Sequence, residues 1–387
     1  MSDKSNLTRR RLLAAAGAAP LALAAGRAFA QTAEGQPMPG NAALPEPMEA
    51  RMGWAVVGLG SYALGQVIPE FPAARQSKLA AFVSGNPAKA RELGGRYGVE
   101  HLYDYRTYDR MADNPAIDCV YIVLPVGLHA EYAIRAVEAG KHVLCEKPMA
   151  STSAECEAMI AAAKANDRQL GIAYRVHFEP HNREALRRIR GGEIGAMRHI
   201  HCDHGFNASL QWPPHKWRLQ KALGGGGSMY DVGIYGINTS LMMLDEQPVA
   251  VSAEYAYPRD DPRFTEVEGG IDWRMRMASG INVQGSSSYC YGPYAARQRY
   301  FGSDASIIMD PATTYYDNTL VMDGGGPRRE IGAGNSREQF AAQLDGFSEA
   351  ARANRPHLTP GEMGLRDIRL IEAMYRSADN GGAVIEL

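Results

Sequence analysis

The 387-residue chain carries 41 basic and 43 acidic residues, and 45% of it is hydrophobic. A charge balance this even excludes an extended nucleic-acid or anionic-membrane surface, since both need clustered positive charge. The five cysteines (Cys119, Cys145, Cys156, Cys202, Cys290) are odd in number and form no C-x-x-C pair, which points to free thiols, buried at Cys119 and Cys145, rather than a disulfide scaffold.

The chain opens with Thr8-Arg9-Arg10-Arg11-Leu12-Leu13, an apolar run from Leu12 to Ala25, and Ala28-Phe29-Ala30 before Gln31. A basic start, a short apolar stretch and a small-x-small cleavage site read as an export signal, too short for a membrane span or anchor. The arginine pair marks the twin-arginine type, whose machinery carries proteins already folded, and so predicts a periplasmic location. Removing residues 1–30 takes away five basic and one acidic residue, leaving 357 residues with 36 basic and 42 acidic, a net of −6. Residues 31–50 hold four prolines and two glycines without an apolar period. They read as an extended arm or, equally on composition, a disordered linker.

From Trp54 the pattern changes. Trp54–Val57, Lys78–Val83, Val120–Leu124 and His142–Cys145 read as buried strands with helical segments between them, and Gln169–Tyr174 as the last strand. That alternation predicts an α/β fold, a doubly wound parallel sheet over residues 51–175. Residues 176–387 read as an α+β domain. A helix around Asn182–Arg190 precedes the period-two segments Met197–Asp203, Val249–Tyr257, Ile271–Ala278 and Ile281–Ser288, which predict a mostly antiparallel open sheet. Helices near Arg337–Arg352 and Gly364–Asp379 close the chain.

Gly58-Leu59-Gly60-Ser61-Tyr62-Ala63 fits G-x-G-x-x-A between a strand and a helix. The first glycine permits the turn, the second admits a pyrophosphate, and Ala63 allows close helix packing. At the end of the second strand, Phe82-Val83-Ser84-Gly85-Asn86-Pro87-Ala88-Lys89 has no acid to grip a ribose 2′-hydroxyl. Ser84 can donate to a 2′-phosphate and Lys89 can neutralise it, so NADP fits better than NAD.

Cys145-Glu146-Lys147-Pro148 sets a lysine at the carboxyl end of a parallel strand, the edge where open α/β sheets bind ligands. The second chemical stretch is Gly224-Gly225-Gly226-Gly227-Ser228-Met229-Tyr230-Asp231-Val232-Gly233-Ile234-Tyr235. A glycine run opens a helix there, with Asp231 and Tyr235 four apart on one face. A free tyrosine, with a pKa of about 10, is a poor base at neutral pH, and a Lys147 ammonium beside Tyr235 is expected to lower that value. His199-Ile200-His201-Cys202-Asp203-His204 mixes ligand types, but strand alternation splits them between two faces, so no metal is expected. His177 and His181 are separated by Pro180, which interrupts a helix between them. His177 is a candidate for the substrate pocket, as are Trp212 and Arg218 beside the Pro213-Pro214 turn, where aromatics can stack on sugar faces.

The G-x-G-x-x-A turn, A-G-K-H-V-x-C-E-K-P-M-A, Y-R-x-H and G-G-G-S-x-x-D-x-G-I-Y-G-x-N, in this order and spacing, resemble the glucose–fructose oxidoreductase and inositol dehydrogenase family. Within it, Ser61-Tyr62-Ala63-Leu64, Ser84 with Lys89, and Trp217-Arg218-Leu219 are similar to the periplasmic glucose–fructose and aldose–aldose oxidoreductase branch. The resemblance implies that Gly58, Gly60, Ser61, Tyr62, Ala63, Ser84, Lys89, Leu124, Pro125, His129, Glu146, Lys147 and Arg175 hold NADP. It implies that Lys147, Asp231 and Tyr235 are catalytic, with Arg175, His177, Trp212 and Arg218 on the sugar. It also implies an arm covering the cofactor or a neighbouring subunit, in a homodimer or homotetramer. The loop Val126-Gly127-Leu128-His129 departs from the asparagine of the glucose–fructose enzymes.

Signal and cofactor site explain one another. An exported enzyme cannot readily recover NADP outside the cytoplasm, so it is expected to travel folded around it. A cofactor that stays must be re-oxidised in place, which implies a ping-pong exchange between two sugars. The alternatives are an ordinary NADP-dependent aldose dehydrogenase, an NAD-dependent glycosidase on the same scaffold, and a non-catalytic sugar sensor.

Overall fold

A computed structural model describes residues 45–244 and 246–387. The expected leader and residues 31–44 of the expected arm lie outside the described residues. What is described of the arm, from residue 45, ends in a single 3₁₀ turn, Met48–Ala50. Its Glu46 N–H donates to the Arg75 carbonyl (3.0 Å), at the amino edge of the parallel sheet.

That sheet has six parallel strands: β1 (Met52–Val57), β2 (Ser77–Val83), β3 (His101–Tyr103), β4 (Cys119–Ile122), β5 (His142–Cys145) and β6 (Leu170–Ile172), in the order β3-β2-β1-β4-β5-β6. Trp54 to Val57 have no exposed surface, which is what a strand covered on both faces demands. Helices α1 (Pro87–Tyr97), α2 (His129–Glu138) and α3 (Ser153–Ala165) connect it. After β1 the chain makes a π-helical turn, Ala63–Val67, and a 3₁₀ turn, Ile68–Ala73, rather than the regular helix its apolar residues suggest. Pro69 and Pro72 lack the N–H groups that an α-helix there would need.

After β6 and α4 (Pro180–Arg190) the second sheet begins. Pro180 starts that helix, the one turn that tolerates it. The sheet comprises β7 (Met197–Asn207), β8 (Pro248–Tyr255), β9 (Gly270–Met277), β10 (Asn282–Ser288), β11 (Cys290–Gly302), β12 (Ala305–Met309), β13 (Val321–Gly324), β14 (Arg329–Glu330) and β15 (Ile385–Glu386). They lie in the order β14-β13-β12-β11-β7-β10-β9-β8-β15, antiparallel except for the pair β7–β10. Alternation is clear on β9, where Ile271, Trp273, Met275 and Met277 are buried while Asp272, Arg274 and Arg276 are exposed. The inner face packs on α5 (Ile234–Met243) and on α7 (Gly361–Asp379).

The chain's last third returns to the parallel sheet. From α6 (Glu338–Arg352), Phe347 packs edge-on to Trp54 at 5.4 Å, and Ser348 accepts the Trp54 indole N–H (3.0 Å). Asp345 accepts from the backbone of Arg75 and Gln76. All five cysteines are free thiols, and four of them are buried. No helix among the described residues is long and apolar enough to cross a membrane.

Candidate functional site

The turn after β1 is shaped for a close backbone approach. Gly58 has φ +94°, and a Cβ there would stand 2.5 Å from the Val123 carbonyl oxygen and 2.8 Å from the Leu124 side chain. No residue but glycine fits. Above Gly60 the space is open: among the described residues no atom lies within 4 Å of where its Cβ would be. A strand, a tight turn and an unobstructed glycine make a cradle that fits a dinucleotide pyrophosphate. At the end of β2, the buried Ser84 hydroxyl accepts the Asn86 N–H (3.1 Å), and the Asn86 side chain caps α1 through Lys89 N–H (3.1 Å). The Lys89 ammonium reaches back to the Leu59 carbonyl (2.5 Å), so a positive charge is pinned beside the turn. Ser84, Lys89 and the start of α1 converge with no carboxylate in the segment, a donor set suited to a 2′-phosphate.

Leu124 and Pro125 follow β4 and Glu146-Lys147 follow β5, at the same sheet edge. Two residues expected on the cofactor are instead turned inward. Both ring nitrogens of the buried His129 face backbone carbonyls, Leu124 at 2.8 Å and Pro148 at 2.9 Å, so His129 ties the two loops together. Glu146 is buried and accepts the Tyr121 hydroxyl (2.6 Å), which in turn accepts from Gln343 (3.1 Å). Burial raises the Glu146 pKa from its ordinary value, against the pull of Tyr121, Lys147 and Arg175.

Lys147, Asp231 and Tyr235 meet as the sequence predicts. The Lys147 ammonium donates to the Asp231 backbone carbonyl (2.5 Å), lies 3.7 Å from its carboxylate Oδ1 and stands 4.5 Å from the centre of the Tyr235 ring. Asp231 Oδ2 accepts from Arg218 Nε (2.9 Å) and the Tyr289 hydroxyl (3.1 Å). Burial would raise this carboxyl, but Arg218 and Lys147 outweigh it and hold its pKa below the usual value. Burial lowers Lys147, against the pull of Asp231 and Glu146. The stretch carrying these groups is a π-helical turn, Met229–Gly233, that runs into α5, not a regular helix from its first residue. Such bulges often mark functional positions.

The expected electrostatics of Tyr235 are corrected. Burial pushes its pKa up, and the main opposing charge is Arg175, not Lys147. The geometry gives the reason. Lys147 lies over the ring face, whereas Arg175 Nη2 donates to the hydroxyl at 3.1 Å. Arg175 is itself 2% exposed, held by Gln339 (2.6 Å) and by the carbonyls of Thr313 (2.7 Å) and Thr314 (3.2 Å), with its guanidinium 4.5 Å from the Tyr315 ring centre.

His177 does not join this group. It is buried against α5, its Nε2 2.8 Å from Asn238, which donates to Asp367 (2.7 Å). Full desolvation depresses its pKa to about 4, and its place is that of a brace behind the helix. Trp212 is 54% exposed, its edge against His215 at 4.3 Å, on a loop outside the charged cluster. Arg218 stacks on Trp217 and reaches Asp231 instead. Of the histidine-rich strand β7, His204 is buried and stacked near Tyr235 (6.2 Å), while His199, His201 and Asp203 occupy the other face. Among the described residues no group of three or more His, Cys, Asp or Glu could hold a metal.

Comparisons with known proteins bear on the family and the fold. Residues 52–174 match the model of an oxidoreductase family with an NAD-binding Rossmann fold, and residues 182–308 match the GFO/IDH/MocA C-terminal domain. A D-xylose 1-dehydrogenase [NADP(+)] of Haloarcula marismortui is 30% identical over 342 residues, covering 86% of this chain and 92% of that one. This chain belongs to the GFO/IDH/MocA oxidoreductase family. An aldose–aldose oxidoreductase from Caulobacter crescentus, solved with glycerol, is 42% identical, with a TM-score of 0.83 over 87% of this chain and all of that one. An inositol dehydrogenase homologue from Azotobacter vinelandii, solved with NAD+, is 25% identical, with a TM-score of 0.78 over 89% of this chain and 99% of that one.

Within this family member, sequence reading missed Tyr289, Gln339 and Tyr315. Tyr289 carried one signal, a tyrosine at the end of a period-two strand. Gln339 and Tyr315 carried none, because their relevance depends on which loop crosses Arg175.

Proposed function

We propose that this protein is an NADP-dependent sugar oxidoreductase that keeps its cofactor and exchanges hydride between two sugars. The observation that carries the reading is the meeting of Lys147, Asp231 and Tyr235 at the edge of the parallel sheet that holds the Gly58–Gly60 turn. The likeness to an aldose–aldose oxidoreductase and an NADP-dependent xylose dehydrogenase supports aldoses as substrates. The Ser84–Lys89 corner supports NADP over NAD.

NADP held by the Gly58–Gly60 turn and the Ser84–Lys89 corner would supply the acceptor and donor of hydride. In the first half, the C1–H hydride leaves an aldose while Tyr235, as phenolate, takes the C1-hydroxyl proton, and the sugar becomes its lactone. In the second half, Tyr235 would return that proton to the carbonyl oxygen of another aldose or a ketose as it is reduced to the alditol. Arg175, at the phenol oxygen, stabilises the phenolate. Lys147 over the ring adds positive charge, and Asp231, held by Arg218 and Tyr289, orients a sugar hydroxyl through its other oxygen.

The same reading makes the chain a periplasmic protein exported folded by the twin-arginine machinery, so that NADP is loaded before export. It assembles as a homodimer or homotetramer through the open face of the second sheet. The deciding measurement is the small molecule released on denaturing the purified mature protein with no cofactor added. Near-stoichiometric NADP(H), reduced by glucose while bound and re-oxidised by a second sugar, is the expected result. An empty protein active only with added NADP overturns retention and leaves an ordinary aldose dehydrogenase. Cleavage of a nitrophenyl glycoside with bound NAD would make it a glycosidase instead.

A further inference from the structure

The glycine run at residues 224–227 resembles an anion cradle, since it opens a helix whose first N–H groups lack intrahelical acceptors. The structure fills that place with the protein's own carboxylate. Glu268, 6% exposed, lies just before β9. Its Oε2 accepts the Gly227 N–H (2.8 Å) and the Tyr375 hydroxyl (2.8 Å). Its Oε1 accepts the Met229 N–H (2.8 Å) and the Ser228 hydroxyl (3.5 Å). Both oxygens are therefore engaged at the positive end of the helix, by donors that oppose the rise in pKa that burial gives this carboxyl.

Backbone follows side chain into the same spot. The Glu268 carbonyl accepts the Ser228 N–H (3.4 Å), and a Cβ on Gly227 would come within 1.9 Å of that carbonyl oxygen. Gly227 is a glycine so that the Glu268 segment can close onto the helix start, not so that a ligand can.

The neighbouring strand end adds a second point of contact. Ser288, the last residue of β10, pairs with Gly270, the first of β9, and the Tyr289 N–H donates to the Gly269 carbonyl (2.6 Å). Tyr289 then donates to Asp231 (3.1 Å). One end of the β9–β10 ladder thus grips the backbone at 227–229 through Glu268 and the carboxylate two residues on through Tyr289. The π-helical turn between these grips carries Asp231 and leads to Tyr235.

We propose that Glu268 is a positioning residue for the catalytic turn, a cap supplied by the second sheet that sets where Asp231 and Tyr235 stand relative to Lys147. It acts through the turn and not on the substrate or the cofactor. The proposal rests on the reading of Asp231 and Tyr235 as catalytic.

The test uses the full mature chain, loaded with added NADP if it purifies empty. Glu268→Gln keeps the volume but turns an amide N–H₂ toward one of the two backbone donors. Reduction of bound NADP by glucose is followed in single turnovers over a range of sugar concentrations, beside Asp231→Asn and Tyr375→Phe. A displacement of the turn is expected to slow the maximal rate of Glu268→Gln about ten- to hundredfold. The half-saturating sugar concentration should stay within about twofold, since binding contacts are retained. Tyr375→Phe, which removes one of four donors, should slow the step in the same direction by less, and it carries the test if Glu268→Gln does not fold. A folded, loaded Glu268→Gln protein with the wild-type rate, alongside a slow Asp231→Asn, overturns the positioning role while leaving Asp231 catalytic. A wild-type rate in Asp231→Asn overturns the catalytic reading and the positioning role with it. Equal losses in rate and sugar affinity, tracking a fall in Tm, would reduce Glu268 to a stability element and also overturn the proposal.

Discussion

The turn after β1 and the turn before α5 both begin with glycines, and they work in opposite ways. At Gly58–Gly60 the protein withholds atoms: one glycine admits a backbone conformation that side chains avoid, and the other leaves open space. Over 224–235 the protein meets its own groups. Glu268 occupies the helix start, Arg218, Tyr289 and Lys147 surround Asp231, and Arg175 meets Tyr235. The first region leaves room for a ligand to approach the backbone. In the second, Glu268 and Asp231 are already taken up by protein donors, and the helix N–H groups by Glu268, so the glycine run is closed to a ligand's anion. Similar glycine patterns therefore carry different chemistry, and what decides between them is whether a protein acceptor reaches the N–H groups.

That contrast can be broken by substitution. The largest effect is expected in the filled region. Lys147→Met or Asp231→Asn should lower sugar oxidation by about 10²–10⁴-fold, because each removes a group arranged around the transferred proton. Released NADP should show the cofactor still bound, and its loss would mean that the two regions are not separable.

Next come the two glycines of the open turn, which should part company. Gly58→Ala forces a side chain into a positive-φ position against the Val123 carbonyl. It should cost about 2 kcal/mol or more, seen as a lower Tm. Gly60→Ala meets no described protein atom and should leave the Tm of the cofactor-free protein within a few degrees, while cofactor affinity falls about tenfold or more. Equal losses of stability in both would refute the reading of Gly60 as ligand space.

Ser84→Asp places a carboxylate where a 2′-phosphate is expected. The ratio of NADP to NAD affinity should fall by about tenfold or more, measured by titration of the empty protein. No change would move the 2′-phosphate elsewhere.

A pH profile tests the corrected electrostatics of Tyr235. Its pKa lies above the ordinary phenol value, so at neutral pH it holds its proton. Oxidation of the first sugar, which needs the phenolate, should accelerate with pH by up to about tenfold per unit toward the alkaline side. Reduction of the second sugar, which uses the phenol, should stay level and fall only when the phenol ionises. Tyr235→Phe should flatten the oxidation profile. The smallest effect is expected at Trp212, exposed and outside the cluster. Trp212→Ala should change either half-reaction by less than about threefold, and a greater loss would extend the sugar site outward.

The pieces legible in the sequence are those written in consecutive residues. Buried parallel strands read as apolar runs, the strand–turn–helix motif identified Gly58 and Gly60, and β9 alternated as an open-faced strand must. Elements without such a local signature escaped. β3 is three residues long with an exposed first residue, and the turns after β1 and before α5 are π-helical although their sequences look helical. His177 was legible as a polar residue at a strand end but not as one bonded to Asn238, because its direction depends on how α5 lies beneath it.

By itself the sequence determined the strand–turn–helix glycine pattern, the absence of an acid at the end of β2, and the grouping of Lys147 with Asp231 and Tyr235. Turn geometry and charge type are local properties of the chain. Only the tertiary structure decided which cation reaches the Tyr235 oxygen, that Glu268 before β9 and Tyr289 after β10 both reach the turn carrying Asp231, and that α6 returns to cover Trp54. These are contacts between segments 39 residues apart for Glu268–Met229, 58 for Tyr289–Asp231, 60 for Arg175–Tyr235 and 294 for Trp54–Ser348. Hydrogen bonding and desolvation act over a few ångströms, so the packing that brings such segments together sets the protonation and placement of every group in the site.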